Sequence, residues 1–300
     1  MFYRALLLSC ISVFHATSAL CTRQRLQDHL DLFFVDAISH DALPLAPNVK
    51  ISSNGVMQLN LNTTAFANTT WLESPGFKIQ VVDILACQAA RYTVAREKQT
   101  NGTEVPALIS VRVGLADNDG HITEIEITNV VKGENILFSP DTFEHRTPPL
   151  FNSSQSFPPG APISAAKVLT RKEIIAVTEN YVSGVQKGDK SIMKVGPACP
   201  RTENGQRVRD HCEDGDEGLS KFKWPIQNRR WIADPDMGIA FGAYIVQGTF
   251  GEDDNTWDLV NEFIAVKDGL IREVRAIMEH VPKGTNAIWP EDTARTYATT

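Results

Sequence analysis

The sequence predicts an α+β protein of two tandem cone-shaped units, each a curved antiparallel sheet with helices on one side. Three observations lead there. The chain has 300 residues, room for two domains of about 150 residues each. A set of local features recurs in the same order at a nearly constant offset. A proline-rich stretch without sustained periodicity separates the two copies.

The recurrence starts with helices. Leu26, Leu30, Phe33, Phe34, Ala37 and Ile38 fall on one helical face, and Ile174, Tyr181, Val182 and Val185 do likewise about 148 residues later. Asp41 and Asp189 end these helices. Next come Asn54-Gly55 and Asn204-Gly205, dipeptides that turn a hairpin at little steric cost. Val81-Val82-Asp83 then matches Trp231-Ile232-Ala233-Asp234 in strand-like context. Finally Asp119-Gly120 and Asp268-Gly269 each separate two strand-like runs. The offsets are 148, 150, 151 and 149 residues. Between the copies, prolines 140, 148, 149, 158, 159 and 162 remove backbone donors and restrict their neighbours. The expected organisation is therefore a leader over 1–20, a first unit over 21–130, a linker over 131–167, a second unit over 168–290 and a tail over 291–300. A cone of sheet closed by a helix leaves an apolar pocket at its centre.

Composition narrows the function. Apolar residues make up 42% and charged residues 22% of the chain, which is globular composition. The net charge of −7 argues against a nucleic-acid partner, which needs a basic face. At the start, Arg4 precedes an apolar run from Ala5 to Phe14, followed by Ala16-Thr17-Ser18-Ala19. That is the pattern of a cleaved signal peptide, too short to span a bilayer. The expected location is the secretory pathway, secreted or lumenal, with no membrane span. Beyond the leader stand Cys21, Cys87, Cys199 and Cys212. An even number in an oxidising compartment implies two disulfides, and four cysteines allow three connectivities. Cys199 and Cys212 are close in sequence and pair within the second unit, which leaves Cys21 with Cys87 in the first. Sequons at Asn62, Asn68, Asn101 and Asn152 permit glycosylation there.

Most motifs of specific chemistry are missing: no dinucleotide glycine fingerprint, P-loop, Gly-x-Ser-x-Gly elbow or His-Glu-x-x-His. No metal and no nucleotide cofactor is expected. Asp117 to Glu126 has the spacing of a calcium loop, but Leu115 stands where the first carboxylate belongs and Ile122, Ile125 and Ile127 alternate as a strand. A turn followed by a strand explains it better. The candidates for chemistry are carboxylates in apolar strands. Asp83 sits among Val81, Val82, Ile84 and Leu85, where burial would raise its pKa toward that of a general base. Its counterpart Asp234 shares a strand face with Arg230 and Ile232, while Arg229 and Trp231 take the other. A solvated salt bridge on an exposed strand is the better account of Arg230 and Asp234, and a strand end facing solvent is the alternative for Asp83. Tyr92 and Tyr244, nine and ten residues beyond the aspartates, are either core aromatics or donors to a developing oxyanion. Glu203, in the Arg201-Thr202-Glu203-Asn204-Gly205 turn between two cysteines, completes the candidate set. His40, at a helix end, is better explained as a cap.

Nearly the whole mature chain resembles a known family. Asp36 to Lys50 (Asp-Ala-Ile-x-His-Asp-Ala-Leu-Pro-Leu-Ala-Pro-Asn-Val-Lys) and Cys199-x-Arg201-x-Glu203-Asn204-Gly205, with Arg229-Arg230, Asp234 and Asp268 to Trp289, are similar to secreted fungal proteins without an assigned activity. That family resembles tandem ketosteroid-isomerase-like or nuclear-transport-factor-like units. The resemblance extends to dimerising cyclases of maleidride type in fungal secondary metabolism. It implies an enzyme that enolises and cyclises, or isomerises, a hydrophobic polyketide-derived, maleic-anhydride-like substrate without a cofactor. Asp83 or Asp234 would be the base, with Tyr92, Tyr244 or Arg230 holding negative charge. The partners implied are a hydrophobic small molecule and other pathway proteins. The alternative is a non-catalytic secreted binding or pathway partner protein. Ser53 departs from the family, where glutamate precedes the Asn-Gly turn, so activity is expected in the second unit.

Overall fold

The computed structural model describes residues 21–36, 43–72, 79–116, 120–132, 138, 168–197, 199–212, 224–248 and 255–286. The leader, His40, Asp41, Asn152, most of the proline-rich linker and the tail lie outside them.

The first unit opens with helix α1 (Arg23–Asp36), followed by strands β1 (Leu45–Ser53), β2 (Val56–Gln58), β3 (Thr69–Leu72), β4 (Ile79–Asp83), β5 (Gln88–Lys98), β6 (Glu104–Leu115) and β7 (Ile122–Val131). The second opens with α2 (Arg171–Lys187), followed by β8 (Arg201–Glu203), β9 (Gln206–Arg209), β10 (Ile226–Asp234), β11 (Ile239–Val246), β12 (Thr256–Lys267) and β13 (Leu270–Pro282). The first sheet runs β2-β1-β7-β6-β5-β3, with β4 also on β5, and the second runs β10-β11-β12-β13-β8-β9. Read from β4, the first order repeats the second. Both sheets are antiparallel except at one seam each, β1 with β7 and β8 with β13.

The local rules set these elements. Thr170 caps α2 through a capping box with Glu173, and Gly188 ends the helix at φ 62°. Asn54 and Gly55 (φ 47° and 74°) turn β1 into β2, and Asn204 and Gly205 (φ 43° and 81°) turn β8 into β9. Each asparagine side chain also pins its turn to the sheet. Asn54 exchanges two hydrogen bonds with the Asn129 backbone, and Asn204 does the same with Met278. Disulfides join Cys21 to Cys87 and Cys199 to Cys212. No helix among the described residues is long and apolar enough to cross a membrane.

Among the described residues, strand alternation builds a core under each helix and a further one between the two sheets. One face of the first sheet packs on α1 through Leu26, Leu30, Phe33, Ile109 and Val111. One face of the second packs on α2 through Ile174, Tyr181, Val260 and Ile264. The remaining faces pack on each other: Val81, Tyr92 and Leu108 of the first sheet meet Ile232, Phe241, Phe263 and Ile277 of the second. The central strands are therefore buried on both sides. The two halves do not rest on separate cores alone, because each sheet covers the apolar back of the other.

Candidate functional site

The faces decide which predicted residues can meet a ligand. Asp83 and Asp234 lie at the seam between the units and are almost fully buried. Asp83 accepts from Arg171 Nε at 2.6 Å and from the Ala233 amide at 2.9 Å. Asp234 accepts from Arg23 Nη1 and Nη2 at 2.9 and 2.5 Å and from the Val82 amide at 3.2 Å. The two ion pairs are reciprocal: the first residues of each helix reach the aspartate of the other unit. Every oxygen of both carboxylates is occupied, since Ala86 donates to the other Asp83 oxygen and Met237 adds a second bond to Asp234 Oδ1. This corrects the expectation that either is a pocket base.

Two more expectations change in the same way. Arg230 is at the seam, donating to Glu126 at 2.6 and 2.8 Å, and Arg112 donates to the same carboxylate at 3.0 Å. Burial opposes the charge on Glu126, but the two guanidinium groups outweigh it and lower its pKa. Glu126, the last position of the calcium-like spacing, is thus committed to arginines. Tyr92 stands in the inter-sheet core beside Phe263, ring centroids 5.8 Å apart. Burial raises its pKa, so it stays a neutral phenol. Arg229 and Trp231 do take the opposite face, bonding to Glu179 of α2.

Of the sequence-chosen candidates, Tyr244 lines a cavity among the described residues of the second unit. This cavity lies between α2 and the helix-facing side of the second sheet, with about 450 Å³ of free space that includes open solvent at its mouth. Val185, Trp224, Ile226, Val246, Val260 and Met278 form its apolar wall, and Arg201, Tyr244, Asp258 and Glu262 its polar groups. Period-two alternation on β12 aims Asp258, Val260 and Glu262 at it in turn. Arg201 donates through Nε to Glu203 at 2.6 Å and through Nη1 to Glu262 at 2.6 Å and to the Tyr181 hydroxyl at 2.9 Å. Glu203, the remaining candidate, therefore stands behind Arg201 and orients it rather than lining the cavity.

The other end of the cavity holds a second group. Asp258 Oδ1 lies 2.7 Å from His280 Nδ1, and its Oδ2 is buried with no hydrogen-bond partner among the described residues. Burial raises the Asp258 pKa above the ordinary carboxylate value, and His280 only partly opposes it. Burial, then the neighbouring Glu262 carboxylate, raises the Tyr244 pKa too, so its hydroxyl keeps its proton. Asp258 and His280 were not singled out by sequence. Their one legible sign is the alternation Asp258-x-Val260-x-Glu262, an odd pattern for a core strand. Among the described residues, no three His, Cys, Asp or Glu side chains gather as a metal site requires.

The first unit has no such chemistry. Ladder registers align Ser53–Ile127–Val111 with Glu203–Ala276–Glu262, and Ala107–Val131 with Asp258–His280. Ile51, Val111 and Ala107 thus stand where Arg201, Glu262 and Asp258 stand. Phe33 and Phe66, with centroids 4.7 Å apart, fill the space below.

A family profile described as Domain of unknown function (DUF8021) matches residues 167–278, most of the second unit. No curated protein matches the sequence. Two solved structures are similar to parts of the chain. One is PrhC from Penicillium brasilianum NBRC 6234, at 17% identity and TM-score 0.29, covering 36% of this chain and 82% of that one. The other is a protein of unknown function with a cystatin-like fold from Methylobium petroleophilum PM1. It has 17% identity and TM-score 0.33, covering 44% of this chain and 95% of that one.

Proposed function

We propose that the protein is an enzyme of the secretory pathway that enolises a hydrophobic small molecule in the second-unit cavity, then cyclises or isomerises it. The observation that carries this reading is Asp258: a buried carboxylate with raised pKa on the wall of an apolar cavity, one oxygen held by His280 and the other buried without a hydrogen-bond partner among the described residues. Such a group suits proton abstraction from carbon near neutral pH. Asp258 Oδ2 takes the proton α to a carbonyl, and the electron pair of the broken C–H bond moves onto the carbonyl oxygen. The Tyr244 hydroxyl, on the strand position paired with Val260 between Asp258 and Glu262, supplies a donor to that oxyanion. The enolate carbon then adds to an electron-poor C=C of a second molecule, whose π pair moves onto its conjugated carbonyl oxygen before the new enolate takes back the Asp258 proton; in isomerisation the first enolate takes that proton back at another position. Neither course changes the oxidation state of the system.

The two disulfides suit an oxidising compartment. The family resemblance supplies the substrate expectation, a maleic-anhydride-like compound of fungal secondary metabolism. Deuterium wash-in at the α-position of an alkyl-substituted maleic anhydride tests the first step directly. Asp258→Asn should lower the exchange rate by about 10²–10⁴-fold. Exchange by the variant at the parental rate sinks the assignment of the base. No exchange by the parent protein favours the binding role instead.

A further inference from the structure

The proposed reaction uses Asp258 and Tyr244 but leaves one buried acceptor unexplained. Glu262 is fully buried in the central strand of the second sheet and lines the cavity. Its Oε1 accepts from Arg201, whereas its Oε2 has no hydrogen-bond partner among the described residues. The Tyr244 hydroxyl interacts with the same carboxylate by charge and hydrogen bonding, both of which raise the tyrosine pKa, without meeting Oε2 at full hydrogen-bond distance and angle. A buried carboxylate oxygen left without a donor is costly, and native structures leave few such groups unless a ligand or water completes them. The corresponding position of the first unit is Val111, packed in an apolar core. The fold therefore does not need a carboxylate there.

Placement says what the missing partner looks like. Asp258 and Glu262 are four residues apart on one strand face, with Val260 between them. At ~3.4 Å per residue their Cα atoms stand roughly 13–14 Å apart. The walls around Val260, from Trp224, Ile226, Val246 and Met278, are apolar. An anionic group near Glu262 would meet a carboxylate whose one cation, Arg201, is already shared with Glu203 and Tyr181.

Building on the proposed reaction, we infer that Glu262 Oε2 is a specificity element that accepts a hydrogen bond from the ligand. The substrate class is then a hydrophobic compound bearing a hydrogen-bond donor, a hydroxyl or an ammonium, at the end remote from the carbon that Asp258 deprotonates. A carboxylate or phosphate at that end is excluded by charge.

Binding of small isosteric probes to the full mature protein tests this without turnover. Measured by ligand-observed NMR titration, p-cresol or 4-methylbenzylamine should bind at least about tenfold tighter than p-xylene and p-toluate. The better of the two identifies the donor as hydroxyl or ammonium. In Glu262→Gln the amide oxygen stays with Arg201 and its NH₂ faces the cavity, so the donor preference should vanish and p-toluate should gain. Asp258→Asn should keep the preference for donors. Circular dichroism and intact disulfides establish that each variant is folded. If Glu262→Gln does not fold, the Asp258→Asn comparison and the parental ranking still decide. Equal binding of all four probes, or tightest binding of p-toluate or p-xylene, overturns the inference. So does loss of the preference in Asp258→Asn. Failure of the enolisation reading would show differently, as normal donor preference with no deuterium exchange.

Discussion

Replacing Asp234 by Asn separates a seam role from a catalytic one. The carboxylate is inaccessible and receives four hydrogen bonds, two from Arg23 and one each from the Val82 and Met237 amides. Asparagine has one accepting oxygen, so one Arg23 N–H and one backbone N–H then face an NH₂ group. Arg23 is 30% exposed, so its freed donor rehydrates and the low end of the range for a charged bond applies, about 1.5 kcal/mol. The backbone donor stays buried and costs about 1–3 kcal/mol. The sum, about 2.5–4.5 kcal/mol, corresponds to a fall in Tm of about 5–18 °C at about 2–4 °C per kcal/mol. Asp83→Asn should behave alike, because Arg171, Ala233 and Ala86 make the equivalent contacts. Thermal and urea unfolding followed by circular dichroism give the stability, and deuterium exchange per folded molecule gives the chemistry. Both variants should lose stability and keep their exchange rate. A variant with parental stability and lost exchange would refute the reasoning and restore the aspartate as the base.

Glu126→Gln should destabilise by about 3–5 kcal/mol, since it leaves Arg112 and Arg230 buried without their shared counter-charge. Combining Glu126→Leu with Arg112→Leu and Arg230→Met should recover most of that loss, as urea midpoints will show. Phe66→Ala should cost about 3–5 kcal/mol by opening a hole beside Phe33 and Phe34, with deuterium exchange unaffected. Asp258 sets a pH dependence. Its folded pKa is raised, so the native state binds a proton more tightly than the unfolded chain. Stability therefore falls as pH rises from about 4, the unfolded value, through the folded value. Asp258→Asn should remove that contribution, flattening the fall in the urea midpoint as pH rises above about 4. A parental slope would show that other groups carry it.

Much of the fold was legible in the sequence. The helical stripe of Leu26, Leu30 and Phe33, the Asn-Gly turns and the constant offset all report local physics: the helical period, positive φ at little cost, and a repeated chain. These signals act between neighbours along the chain, so one sequence carries them in full. The cysteine pairing was legible for a similar reason, being confined within each unit.

The site was harder. Tyr92 and Tyr244 look like counterparts, yet they follow their aspartates by nine and ten residues, and that single step turns them to opposite faces of their sheets. Tyr92 aligns with Ala243, and Tyr244 with Thr93. The same parity argument places Arg230 and Asp234 on the back of the sheet. What the sequence did not say is that the back faces the other unit rather than solvent or ligand. Hydrophobic alternation shows that a face is covered and is silent about what covers it. Asp83 among valines was therefore equally compatible with a catalytic pocket and with an arginine arriving 88 residues later. Only the tertiary structure decided between them, because burial and charge pairing are properties of what the chain brings together from afar. By itself the sequence determined two repeated α+β units with their turns and disulfides. The packing of one sheet against the other decided that the seam takes the conspicuous carboxylates and that the cavity falls to Asp258, Glu262 and Arg201.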